Sequence, residues 1–131
     1  MEYLTIKRFK REGIGGHFNI PYGTKLQMRN RTLFLGDKPV CKSQSAAAHE
    51  YFACNYDGNG FERGKLSHAI IEKLGGSGGD SGLWKIIFAD DLAQKYRRPE
   101  HQDYWLWNDA FFNAPIEDLR YLAALVGVKG V

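Results

Sequence analysis

Several chemistries lack their parts in this chain. Its two cysteines, Cys41 and Cys54, stand thirteen residues apart with no CxxC pair. That excludes a thiolate metal knuckle, and a chain of this size needs no disulfide framework. Two free, partly buried thiols in a reducing cytosol are expected. His17, His49, His68 and His101 form neither HxH nor HxxxH, and His49-Glu50 lacks the second histidine of a zinc-protease helix. His101 with Asp103 is the one pair able to start a metal or acid–base site, and no third ligand stands near it. There is no GxSxG. Gly13-Ile14-Gly15-Gly16 has no following Lys-Ser or Lys-Thr and opens no helix, so it reads as a hairpin loop. The sequence predicts no catalytic residues, no cofactor and no metal, and it places a non-enzymatic role ahead of a metal-dependent enzyme.

Long apolar runs are missing as well. Nothing approaches the ~18 residues of a membrane span, and MEYLTIKRFKREG alternates like a strand where a signal peptide would carry an apolar plug. A soluble, cytoplasmic protein is expected. Nor does one sign of charge dominate: a net charge of +3 with 25% charged residues is compatible with nucleic acid without compelling it.

What the chain has in quantity is aromatic surface, 14% of its residues. The stretch Tyr96 to Phe112, YRRPEHQDYWLWNDAFF, holds two of the three tryptophans beside Arg97 and Arg98. The C-terminal half is expected to fold around it. Trp105 and Trp107 lie about 200° apart on a helix and cannot share one face. With Arg97, Arg98 and Tyr104 they form the predicted partner contact, because Tyr, Trp and Arg are the usual anchors of interfaces.

The pattern of the chain predicts an α+β fold in one domain. A small N-terminal antiparallel sheet or partly open barrel covers residues 1–42, and a cluster of four to five helices covers 43–131. Tyr3 to Phe9 alternates as a first strand, and Pro21-Tyr22-Gly23 makes a bend. Arg29-Asn30-Arg31 is a turn, followed by strands Thr32 to Leu35 and Pro39 to Lys42 around Gly36-Asp37-Lys38. Helices are expected over 45–55 and over Lys65 to Leu74, with the glycine-rich run 75–79 as a linker or mobile loop. Trp84, Phe88, Leu92 and Tyr96 recur every four residues on one long amphipathic helix, which places Trp84 in the core. A short helix from Asp103 to Phe112 follows. After Pro115, Leu119, Leu122, Ala123 and Val126 form the buried stripe of a last helix closed by Gly127.

Two further patterns bear on function. NYDGNGFE, residues 55–62, matches the first half of an EF-hand calcium loop, then fails: Leu66 stands where a bidentate glutamate is needed. A polar turn that caps one helix and starts the next is the expected reading. Basic residues cluster at Lys7, Arg8, Lys10 and Arg11, and again at Arg29 and Arg31. On one sheet face these six would track a phosphate backbone, the alternative to a protein-binding role. Acidic residues between them dilute the field, and a solvated surface accounts for each cluster taken singly.

HFNIPYGT, NYDGNGFERGKL, YRRPEH followed by DYWLWN, and IEDLRYLA occur in this order along the chain. In these phrases the sequence resembles small uncharacterised proteins encoded by phages and prophages of Gram-positive bacteria. The resemblance implies a host-cytoplasmic accessory protein that binds a host protein or protein–nucleic-acid complex. Inhibition of a host defence system, as by an anti-CRISPR protein, is one such role. A nucleic-acid mimic would be strongly acidic, and this chain is not.

Overall fold

The computed structural model describes residues 1–74, 84–96 and 109–128. The architecture is α+β, with a mainly antiparallel N-terminal sheet, and the chain divides into two compact units, Met1–Gly64 and Lys65–Val131.

The first unit contains β1 (Glu2–Thr5), β2 (Phe9–Gly13), β3 (Gly16–Ile20), β4 (Lys25–Arg29), β5 (Thr32–Leu35), β6 (Lys38–Lys42) and β7 (Phe52–Cys54). Five of these strands form a sheet in the order β6-β5-β4-β1-β7, and β2 with β3 makes a separate two-stranded ribbon. The run expected as one strand from Tyr3 to Phe9 is broken after Thr5. Its first part pairs with β4, whereas Phe9 turns away to join Phe18 and Ile20 in the core. One face of the sheet supplies Tyr3, Leu26, Leu33 and Phe52, and the ribbon packs Phe9, Phe18 and Ile20 against them. Burial of this kind contributes roughly 1.5–3 kcal/mol per large apolar side chain. Asn30 (φ 50°) and Arg31 (φ 59°) both adopt left-handed backbone at the β4–β5 turn. That is the mirror-image turn whose twist suits a two-residue hairpin.

The tip of the ribbon is fastened to β6. Ile14 N–H donates to the Val40 carbonyl at 2.9 Å, and Gly15 N–H donates to the Pro39 carbonyl at 2.8 Å. A bulge in β6 at Val40, where the register slips between Leu33↔Cys41 and Phe34↔Pro39, accompanies this contact. Gly13 has no room for a side chain there, since a Cβ would lie 2.5 Å from the Val40 oxygen.

The helix expected over 45–55 is half as long. Helix α1 (Ala46–Tyr51) is capped by Ser45, whose hydroxyl accepts from Ala48 N–H at 3.1 Å, and Phe52–Cys54 is then strand. The free edge of β1 is the reason. Pairing Tyr3↔Cys54 and Thr5↔Phe52 completes a ladder and buries Phe52 and Cys54, which outweighs local helix preference.

Helix α2 (Gly60–Lys73) starts earlier than the expected Lys65, and the boundary between the units falls inside it. Asn55 and Asp57 explain the early start: their side-chain oxygens accept from Gly60 N–H (2.7 Å) and Asn59 N–H (3.0 Å).

The second unit has its own core. Leu66, Ile70 and Leu74 of α2 meet Ile87 of α3 (Trp84–Ala89), Phe111 of α4 (Asp109–Phe112), and Leu119 and Leu122 of α5 (Ile116–Leu125). The long helix expected through Tyr96 stops at Ala89, and a 3-10 turn covers Ala93–Tyr96. Asp90 makes the break: its carboxylate accepts from Ala93 N–H at 3.0 Å and from the Tyr121 hydroxyl. Ala93 and Tyr96 then face the core. The predicted α5 stripe is buried at all four positions, and Gly127 (φ 80°) follows the helix in left-handed backbone. The glycine-rich run 75–79, the start of the helix expected from Asp103 to Phe112, and the Trp84 and Phe88 side chains lie outside what is described.

Candidate nucleic-acid interface

The first unit carries the positive charge of the chain. Residues 1–64 hold ten Lys and Arg against six Asp and Glu, whereas 65–131 hold eight against nine. One of the ten, Arg63, is buried.

Strand alternation sorts the rest. On the ribbon, Phe9 and Phe18 point to the core, so Lys10 and its partner Asn19, with Glu12 and its partner His17, point out. Arg8 donates to Asn19 Oδ1 at 2.9 Å, which lays it along the same outer face, and His17 Nδ1 lies 3.3 Å from Glu12. Lys7 and Arg11 stand elsewhere, over helix α1. Lys7 pairs with Glu50 at 2.9 Å, and the hydrogen bond to that carboxylate raises the lysine's pKa. Arg11 lies over the rings of Phe9 and Tyr51, 5.9 Å from each centroid. Arg29 and Arg31 are at the β4–β5 turn. Arg29 projects from the sheet face opposite the core, with its guanidinium 4.2 Å from the Phe34 centroid and Nη2 donating to the Gly36 carbonyl at 2.8 Å.

The six cations named from sequence are therefore not one patch. Arg8 and Lys10 share the ribbon's outer face, Lys7 and Arg11 share the α1 side, and Arg29 leaves from the far face of the main sheet. Strand parity in the sequence separates Lys10 from Arg11, but the packing of ribbon on sheet that places Arg29 across the core is tertiary.

That far face also holds a shallow groove of about 310 Å³, lined by Met1, Lys25, Gln27, Met28, Arg29, Phe34 and Gly36. Sequence reasoning passed over Lys25 and Gln27. The signal was present in KLQMR, where three polar residues alternate with two apolar ones.

The EF-hand-like loop is occupied by the protein itself. Asp57 accepts two hydrogen bonds from Arg63, at 3.0 and 2.7 Å, and Arg63 Nη1 also donates to the Cys54 carbonyl at 2.7 Å. The Tyr56 ring lies 4.7 Å from the same guanidinium. Asn55, the first residue of the loop, donates to Glu2 at 2.6 Å. Loop carboxylate and amide are thus committed to fixing the start of α2. No group of three or more His, Cys, Asp and Glu side chains able to hold a metal occurs among the described residues.

Of the other candidates, Cys41 and Cys54 are free and buried, and burial pushes both thiols up from their ordinary pKa. His68 packs edge-on against Phe112. The partner contact predicted at Arg97, Arg98, Tyr104, Trp105 and Trp107, and the His101/Asp103 pair, lie outside the described residues. Among the described residues, Tyr22 and Phe61 of the first unit are exposed and stack at 4.7 Å, and Tyr56 and Tyr121 are exposed as well.

Comparison with family models, curated proteins and solved structures finds no match to this chain. No helix among the described residues is long and apolar enough to cross a membrane.

Proposed function

We propose that the chain is a non-enzymatic nucleic-acid-binding module whose β-rich half meets the phosphates. The observation that supports this reading is charge placement: the surplus of cations sits in residues 1–64, and Arg8 and Lys10 project together from the outer face of the ribbon. Ribbon, bulge and β6 together read as a partly open barrel, a frame that holds such side chains at fixed spacing. Phosphate contacts by these groups release counterions, so affinity falls steeply with salt. Fluorescence anisotropy with labelled duplex and single-stranded oligonucleotides over a salt series tests the reading. Arg8→Ala with Lys10→Ala is expected to weaken binding and to reduce the log–log salt slope by about 0.7–0.9 for each phosphate that is no longer neutralised. Absence of binding by the wild type at low salt sinks the proposal.

A second reading is a phage accessory protein that binds a host protein in the host cytoplasm and acts on a defence system. The sequence resemblance supports it, and so does the Tyr22–Phe61 stack, whose members are 63% and 42% exposed. Tyr is a frequent interface anchor. A host protein captured from nuclease-treated lysate by the wild type, and absent with Tyr22→Ala, favours this reading over the first.

A further inference from the structure

We infer that the groove on the outer face of β4 and β5 is a stacking subsite for one unpaired nucleotide of a single-stranded nucleic acid. This rests on the nucleic-acid reading above and assigns a different surface from the ribbon.

Three observations carry it. The groove's aromatic group, Phe34, is half-buried and faces outward beside Gln27, its cross-strand partner. Arg29 is laid over that ring and tied to the Gly36 carbonyl, so its guanidinium is held in place by the protein's own groups. A fixed guanidinium and a ring edge make a platform on which a base stacks, whatever its sequence. Lys25, two residues before Gln27 on the same strand face, stands at the other end of the groove, ready to meet a phosphate.

Charge is complementary as well. No carboxylate lines the groove, and neither Lys25 nor Arg29 forms an ion pair among the described residues. Glu2, opposite Gln27, is held by the Asn55 amide, and Asp37 lies in the turn beyond Gly36. The Gln27 amide supplies a donor and an acceptor for a base edge. A volume of about 310 Å³ sits at the low end of small-ligand pockets, and the groove is shallow. A paired base in a duplex offers no free face to such a platform, whereas an unpaired one does.

The test is anisotropy with a fluorescein-labelled oligothymidylate of about twelve nucleotides, within the site sizes usual for such surfaces. Two variants keep bulk or charge and remove the platform: Phe34→Leu and Arg29→Lys. Each is expected to weaken single-strand binding about tenfold, the size of one base stack, while duplex binding changes less than twofold. Competition by thymidine monophosphate at millimolar concentration, weaker than by the oligonucleotide, is also expected. Wild-type affinity in both variants, with weakening confined to Arg8→Ala/Lys10→Ala, overturns the groove assignment and leaves the nucleic-acid reading standing. Failure of the wild type to bind any oligonucleotide overturns both.

Discussion

Arg63 holds Asp57 through two hydrogen bonds while its own side chain has no exposed surface, and a third bond goes to the Cys54 carbonyl. A buried guanidinium is tolerable only with such partners, because taking its charge out of water costs several kcal/mol. Removing Asp57 should therefore do more harm than removing Arg63. Asp57→Ala leaves the cation buried and is expected to cost about 3–5 kcal/mol. Arg63→Met keeps the packed stem and leaves Asp57, a quarter exposed, to water, so it should cost less. Chemical denaturation of the two variants gives the order, and the reverse order would refute the account.

The same pair makes a pH prediction. The hydrogen bonds from Arg63 hold the Asp57 carboxyl well below the usual carboxylate range. Folding thus favours the ionised form, and the stabilisation is fully present above the unfolded pKa of about 4. It is lost as pH falls further, toward the folded value. Stability measured from pH 6 down to pH 2 should drop less in Asp57→Asn than in the wild type.

Gly13 offers a steric test. A methyl group there meets the Val40 carbonyl and the Phe18 ring. Gly13→Ala is expected to destabilise by about 1–3 kcal/mol, the range for overpacking. Ile14→Ala, at a side chain 57% exposed, should change stability by less than about 0.5 kcal/mol. Thermal melts of the two variants make the comparison.

The thiols give a third handle. Cys41 and Cys54 are buried, and burial raises both above the ordinary thiol pKa. Thiolate is the reactive form, so a disulfide reagent at pH 8 should react slowly with the native protein and rapidly, at two thiols per chain, in denaturant. Rapid native reaction would show that one of these sites opens.

In the helical unit, Leu122 is buried without exposure on the α5 stripe. Leu122→Ala should cost about 2–5 kcal/mol. Ala124→Ser, on the exposed side of the same helix, should lie within about 0.5 kcal/mol of wild type.

How far these features could be read in advance depends on whether their cause is local. Strands β5 and β6, the left-handed turn at Asn30 and the stripe of α5 were legible because turn chemistry and periodicity fix them within a few residues. Strand β7 was not, since Phe52–Cys54 becomes extended only where β1 offers an edge about fifty residues earlier in the chain. The break at Asp90 likewise depends on Tyr121 from another helix. Arg63 left a signal that went unread: it precedes Leu66, Ile70 and Leu74 at helical spacing, a charge on an apolar stripe, with Asp57 six residues back. For the interface, the cations were legible as residue types, but their division between opposite faces required the packing of ribbon on sheet.

The fastening of the hairpin tip to β6 has a consequence for colloidal behaviour. An outermost strand with free carbonyls is a template on which another chain can add a strand, the first step toward aggregation. Here the Ile14 and Gly15 amides already occupy the carbonyls of Val40 and Pro39. Two successive amides of one glycine-rich loop thus cover two carbonyls of this edge strand, and sequence changes that loosen the loop are expected to free them for strand addition.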